Sequence, residues 1–134
     1  MIVTAKLDFS AAHRLHNPDR DADWNRRVYD KCDNPAGHGH NYIIEVSVRG
    51  DIDPETGMVI DLKKLKDIVR REVINLVDHT NLNADVEFLH GIIPTAENLA
   101  RAFWKRLEPA IDQGSLYRIV LHETERNSVI YSGE

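Results

Sequence analysis

The stretch "VTAKLDFSAAH", residues 3–13, decides the fold. Apolar side chains fall on its odd positions, Val3, Ala5, Leu7, Phe9 and Ala11, while Thr4, Lys6, Asp8 and Ser10 fall between them. A period of two means a strand with one face turned to a core. His13 continues the odd, inward series. A second strand is expected from about His40 to Arg49, with Tyr42, Ile44, Val46 and Val48 inward, Glu45, Ser47 and Arg49 outward, and Ile43 out of pattern. His38 and His40 share the even parity, so a strand that starts early would turn three histidines to inward faces.

Further along, "GDIDPETGM" (50–58) reads as a polar turn. Asp61 is a good N-cap for a helix over about 62–77, with Leu62, Leu65, Ile68/Val69 and Leu76 along one apolar face. "DHTNLN" (78–83) ends that helix, and Thr95, after Pro94, can cap a second one from Ala96 to about Leu107. Beyond Gly114, residues 116–123 and 128–131 read as a closing antiparallel hairpin. The order is β-β-α-α-β-β, a single α+β domain over residues 1–134. Residues 17–31 form the longest irregular stretch and exceed ordinary loop length, which marks them as functional or mobile.

Composition narrows the setting. At 134 residues, 42% hydrophobic and 29% charged, the chain can bury one real core. Its net charge of −5 argues against general nucleic-acid binding. A lone cysteine, Cys32, cannot form an intrachain disulfide, so a reducing compartment is expected. "MIVTAKLDFS" lacks the pattern of a signal peptide, and no apolar run approaches the roughly 18 residues of a membrane span. The expectation is a cytoplasmic protein with neither nucleic acid nor membrane as partner.

Chemistry concentrates in "KCDNPAGHGHNY", residues 31–42. Residues i and i+2 of a strand project from one face roughly 6.6 Å apart, so His38 and His40 can converge on one ion, with His13 as third nitrogen from the other strand. Gly39 between them allows a bulge or close backbone approach. Three histidines with no obvious fourth ligand suit catalytic zinc, although Cys32 could close the set as a structural site. Cys32 also reads as a small buried hydrophobe or, beside Lys31 in a turn-rich segment, as a reactive thiol. Asp78-His79 reads either as an acid–histidine pair or as a helix-end interaction. His16, His90 and His122 have no such support and read as loop or surface histidines.

"FSAAHRL" (9–15), "CDNPAGHGHNY" (32–42), "GMVIDL" (57–62), "DHTNLN" (78–83), "PTAENLA" (94–100) and "HETERNSVIYSGE" (122–134) occur in this order across nearly the whole chain. The set resembles the 6-pyruvoyl-tetrahydropterin synthases and their relatives, the 6-carboxytetrahydropterin synthases of queuosine synthesis. The resemblance implies the tunnelling fold: a four-stranded antiparallel sheet with two helices on one face, three sheets closing a barrel, and two trimers stacking into a hexamer. It implies zinc held by His13, His38 and His40, Cys32 as catalytic thiol, Asp78 and His79 completing a relay from a neighbouring subunit, and Glu123 anchoring a pterin ring. The implied substrate is 7,8-dihydroneopterin triphosphate, and no external redox cofactor is required. Arg14, Arg26, Arg27 and Lys31 are candidate contacts for its triphosphate, or simply a solvated face. The five residues between Cys32 and His38 resemble the pyruvoyl branch rather than the queuosine branch. A zinc-containing module that binds a pterin without turnover is the reading of a different class.

Overall fold

A computed structural model describes all residues, 1–134. Strand β1 (Ile2–His13) pairs antiparallel with β2 (His38–Arg49) along its full length, from Ile2 opposite Arg49 to His13 opposite His38. Strand β4 (Ser115–His122) lies on the other side of β2, followed by β5 (Ser128–Tyr131). The four antiparallel strands are those read from the sequence. A fifth, β3 (Thr80–Asn81), adds a two-residue parallel pairing outside β1, giving the order β3-β1-β2-β4-β5. Its brevity hides it from any periodicity.

Helices cover one face of the sheet. Asp61 caps α2 (Leu62–Val69) by accepting from the Lys63 N–H, and Thr95 caps α3 (Ala96–Leu107) by accepting from the Asn98 N–H. Ala5, Phe9, Ala11 and His13 of β1, the even residues Tyr42 to Val48 of β2, and Ile119 and Leu121 of β4 meet these helices in one core. Phe9 stacks on Tyr42 at 4.7 Å and meets Phe103 of α3 edge-on at 5.9 Å. Ser47 was expected outside, and it does lie on the face away from the helices. It is nevertheless fully buried, bonded to Thr4 Oγ1 at 2.8 Å with Arg118 as its other cross-strand partner.

Two elements depart from the sequence reading. After α2 the chain widens into a π-helical segment, Arg70–Ile74, and closes with an α-helical turn, Asn75–Val77. The wide turn holds one residue more than the α repeat, so the inward face moves on by one position. Val73, Ile74 and Val77 are buried, whereas Leu76, expected on the apolar face, is exposed; Leu62, also expected there, is exposed at the first position of α2, ahead of the wide turn. The second departure is α1 (Ala22–Tyr29), inside the stretch expected to be irregular and capped by Asp21. Asn25 is its only buried residue, donating to the carbonyls of Asn17, Arg20 and Asp21. Its apolar residues, Ala22, Trp24, Val28 and Tyr29, span only two turns and none is buried, too short a pattern to read as a core-facing helix.

Candidate metal centre and active site

The β1–β2 pairing places His13 opposite His38 and Ala11 opposite His40, so three imidazoles gather on the helix side at the sheet's end. Their ligating atoms all lie within 4.8 Å of one another. His13 is 1% exposed, and its Nδ1 lies 2.8 Å from the Pro94 carbonyl just ahead of α3. A carbonyl only accepts, so Nδ1 carries the proton and the Nε2 lone pair faces His38 Nε2 at 3.1 Å. Metal-binding histidines are commonly oriented by such a bond on the far nitrogen. Tyr42 lies beneath, its hydroxyl 3.3 Å from the same Nδ1.

His38 Nδ1 and His40 Nε2 are buried without a hydrogen-bond partner. Buried polar atoms are rarely left so. Convergent imidazole nitrogens, one oriented from behind and two with an unpartnered atom, are the donor set that zinc favours, and the residues fit such an ion. Burial lowers the pKa of His13, with its Pro94 bond opposing and His38 adding to the effect. Burial likewise lowers that of His40, against the opposing charge of Glu123. Both shifts favour the neutral ring, the form that ligates a metal.

Glu123 sits one residue past β4, its backbone N–H donating to the Asn127 carbonyl at 3.0 Å. Its Oε1 reaches within 3.9 Å of His40 Nε2. Burial, and then the Glu123 charge, push the Tyr42 phenol well above its ordinary value. Of the series Tyr117, Ile119, Leu121 that leads to Glu123, the last two are buried, while Tyr117 falls where the β2–β4 register shifts.

The glycine that matters is not the one between the histidines. Gly39 pairs regularly with Ala12, without a bulge, and a Cβ there would meet nothing closer than the Ala11 carbonyl at 3.5 Å. Gly37 instead has φ +76°, and a Cβ on it would lie 3.1 Å from the His13 carbonyl oxygen. Only glycine takes this turn readily.

Cys32 lies in a 3₁₀ turn, Asp30–Asp33, with a free, partly buried thiol. Its carbonyl accepts the Leu15 N–H at 2.9 Å. Asp78 and His79 do form a pair. Asp78 Oδ1 lies 2.9 Å from His79 Nδ1 and also accepts the Ser10 N–H at 2.9 Å. The Ser10 bond, and next the His79 side chain, hold the Asp78 carboxyl below the usual range. His79 has φ +60°, and its side chain is 82% exposed. It borders a cleft of about 480 Å³ shared with Ser10, His40, Asn41 and Asn81. Asp78 and His79 are anchored at Ser10 within β1, and Cys32 at Leu15, two residues past the end of that strand. One copy of the chain thus pairs Asp78 with His79.

Among the other histidines, His90 is exposed as expected. His122 bonds Glu45 Oε2 at 2.6 Å on the face away from the helices. His16, read as a surface residue, lies 2.6 Å from Asp33 Oδ1, which Arg14 Nη2 also reaches at 3.1 Å. No sequence signal flags Asp33, because its partners lie 17 and 19 positions away. Of the basic residues, Arg14 is committed to Asp33 and Arg26 to Asp23.

The model of one known family, 6-pyruvoyl tetrahydropterin synthase, matches residues 2–134. The chain is 45% identical over 132 residues to the 6-pyruvoyl tetrahydrobiopterin synthase of Poecilia reticulata, covering 98% of this chain and 90% of that one. It is 40% identical to the human 6-pyruvoyl tetrahydrobiopterin synthase, over 98% and 91% of the two chains. The solved Caenorhabditis elegans 6-pyruvoyl tetrahydropterin synthase superposes with a TM-score of 0.91 at 41% identity, over 100% of this chain and 97% of that one. A Wolinella succinogenes protein shares the fold at 16% identity with a TM-score of 0.76 over 100% and 98% of the chains. Fold and site together define an enzyme of the α+β tunnelling-fold class. The chain belongs to the 6-pyruvoyl tetrahydropterin synthase family.

Proposed function

We propose that this protein is a zinc-dependent lyase that converts 7,8-dihydroneopterin triphosphate to 6-pyruvoyl-tetrahydropterin with elimination of triphosphate. The observation that carries this reading is the His13–His38–His40 triangle with Glu123 at 3.9 Å from His40, in a chain of this family. Zinc on the three imidazoles would supply a Lewis acid for the substrate's side-chain oxygens and so acidify the neighbouring C–H bonds. Glu123 accepts two N–H bonds from the guanidine-like edge of the pterin, a bidentate contact that selects the ring. Cys32, as thiolate, removes the carbon-bound proton. Asp78 orients His79 through Nδ1, which leaves Nε2 as the proton-transfer atom.

Cys32 and His79 meet in this scheme only across a subunit boundary. β1 pairs with β3 at Ala11 and Ala12 alone, and β5 has no neighbour beyond it, so two sheet edges are left open. Exposed edges are ordinarily paired or covered. Three copies closing a barrel and two barrels stacking into a hexamer satisfy both edges and join the half-sites. A free thiol base also suits the reducing cytoplasm.

The test is incubation of the zinc-loaded protein with 7,8-dihydroneopterin triphosphate and mass identification of the product. Triphosphate and a pyruvoyl pterin are expected, lost on chelation and restored by zinc. A carboxy pterin with acetaldehyde would move the protein to the queuosine-type reaction, and absence of triphosphate release would leave a pterin binder. Metal analysis of the three His→Ala variants checks the ligands, and full zinc retention in all three refutes them.

A further inference from the structure

Asp33 follows Cys32 directly and takes no part in the imidazole triangle. Its side chain is only 15% exposed. One carboxylate oxygen, Oδ1, holds both His16 Nδ1 at 2.6 Å and Arg14 Nη2 at 3.1 Å. The Asp33 carbonyl accepts Arg14 Nε at 2.9 Å, so Arg14 grips backbone and side chain of one residue. With the Leu15 N–H on the Cys32 carbonyl, three consecutive residues, 14 to 16, hold the Cys32–Asp33 step. Arg14 is itself fixed by Asn83, which accepts the Arg14 N–H at 2.7 Å and donates to the Arg14 carbonyl at 2.8 Å.

The turn needs this grip. A four-residue 3₁₀ turn has little stability of its own. Asp30, at its start, has φ +49°, a region non-glycine residues occupy at a cost. Isolated surface ion pairs contribute little. This one is largely sheltered and charge-assisted, and it is anchored to the residues that follow His13.

We propose that Asp33 is a positioning residue: through Arg14 and His16 it fixes the Cys32 thiol relative to the metal centre that begins at His13. The proposal rests on the reading of Cys32 as the base. The clamp takes up the carboxylate that stands next to the thiol, so the turn is located by residues of the metal-bearing strand's own extension.

Asp33→Ala, Asp33→Asn and His16→Ala are compared with the parent and with Cys32→Ala. The readouts are kcat and KM on 7,8-dihydroneopterin triphosphate, zinc content, and the rate of iodoacetamide alkylation. Cys32 is the only cysteine, so alkylation reports on that turn alone and needs no substrate. Asp33→Ala is expected to lower kcat on the order of ten- to a hundredfold, as misplacement of a reacting group does. KM and zinc content stay near the parent values, and alkylation speeds up several-fold as the turn loosens. Asp33→Asn, which keeps an acceptor oxygen, recovers part of kcat. A parent-like kcat in Asp33→Ala overturns the proposal, and so does a loss of kcat in folded protein that is matched by an equal loss of zinc. If Asp33→Ala does not fold, His16→Ala decides: a several-fold lower kcat is expected, and an unchanged kcat with unchanged alkylation overturns the clamp. A parent-like kcat in Cys32→Ala removes the base assignment itself. An inactive Cys32→Ala beside a fully active Asp33→Ala removes only the clamp.

Discussion

At the scale of the residue, the site depends on positions that are easy to overlook. Gly37 makes the turn into His38 at positive φ, where a Cβ would sit 3.1 Å from the His13 carbonyl oxygen. Gly37→Ala should destabilise the fold by about 1–2 kcal/mol. It should also weaken metal retention in chelator competition, because it forces apart the two strands that carry ligands. The corresponding change at Gly39 should be far milder. Asp78 gives a pH-dependent counterpart. Its carboxyl is held below the usual range by Ser10 and His79, so as pH falls the unfolded chain takes up the proton first. The stabilisation is therefore present above about pH 4 and lost as pH falls through the folded value. Asp78→Asn should be less stable than the parent near neutrality in urea unfolding, with the gap closing below that pH. The gathering of the three imidazoles was legible from strand parity. The Asp33 clamp was not, since hydrogen bonds between residues 17 and 19 apart in loops follow no periodicity.

At the scale of the element, strands were easier to read than helices. A period of two survives intact along β1 and β2 because their pairing is regular from end to end. The helix at 62–77 was located correctly, but its buried face was read with a fixed 3.6-residue repeat that the π segment interrupts. The two readings differ in a measurable way. Val73, fully buried, should lose about 2 kcal/mol on substitution by alanine. Leu76, 40% exposed, should lose under about 1 kcal/mol. An inverted order in urea unfolding would mean that the helix runs on as an uninterrupted α-helix. Helix α1 went unread for a different reason: eight residues long, with none of its apolar side chains buried, it is specified by a cap and the side-chain bonds of Asn25.

At the scale of the whole molecule, the proposed division of Cys32 and His79 between neighbouring subunits makes a prediction about mixtures. Cys32→Ala and His79→Ala should each be impaired on the order of 10²- to 10⁴-fold. Mixed in equal amounts under conditions that exchange subunits, about a quarter of all the interfaces should pair an intact thiol with an intact imidazole. Activity should recover to a corresponding fraction. Confirmed exchange without recovery would place the relay within one chain or abolish it, while leaving the proposed metal ligands untouched. The π turn, finally, has a meaning for the gene. A helix that gains one codon between two segments already locked in place swells locally rather than rotating either segment out of its packing. Loss of a single amino acid within residues 70–74 should return this segment to the α repeat, and the imidazoles, the thiol turn and the sheet edges all lie outside it.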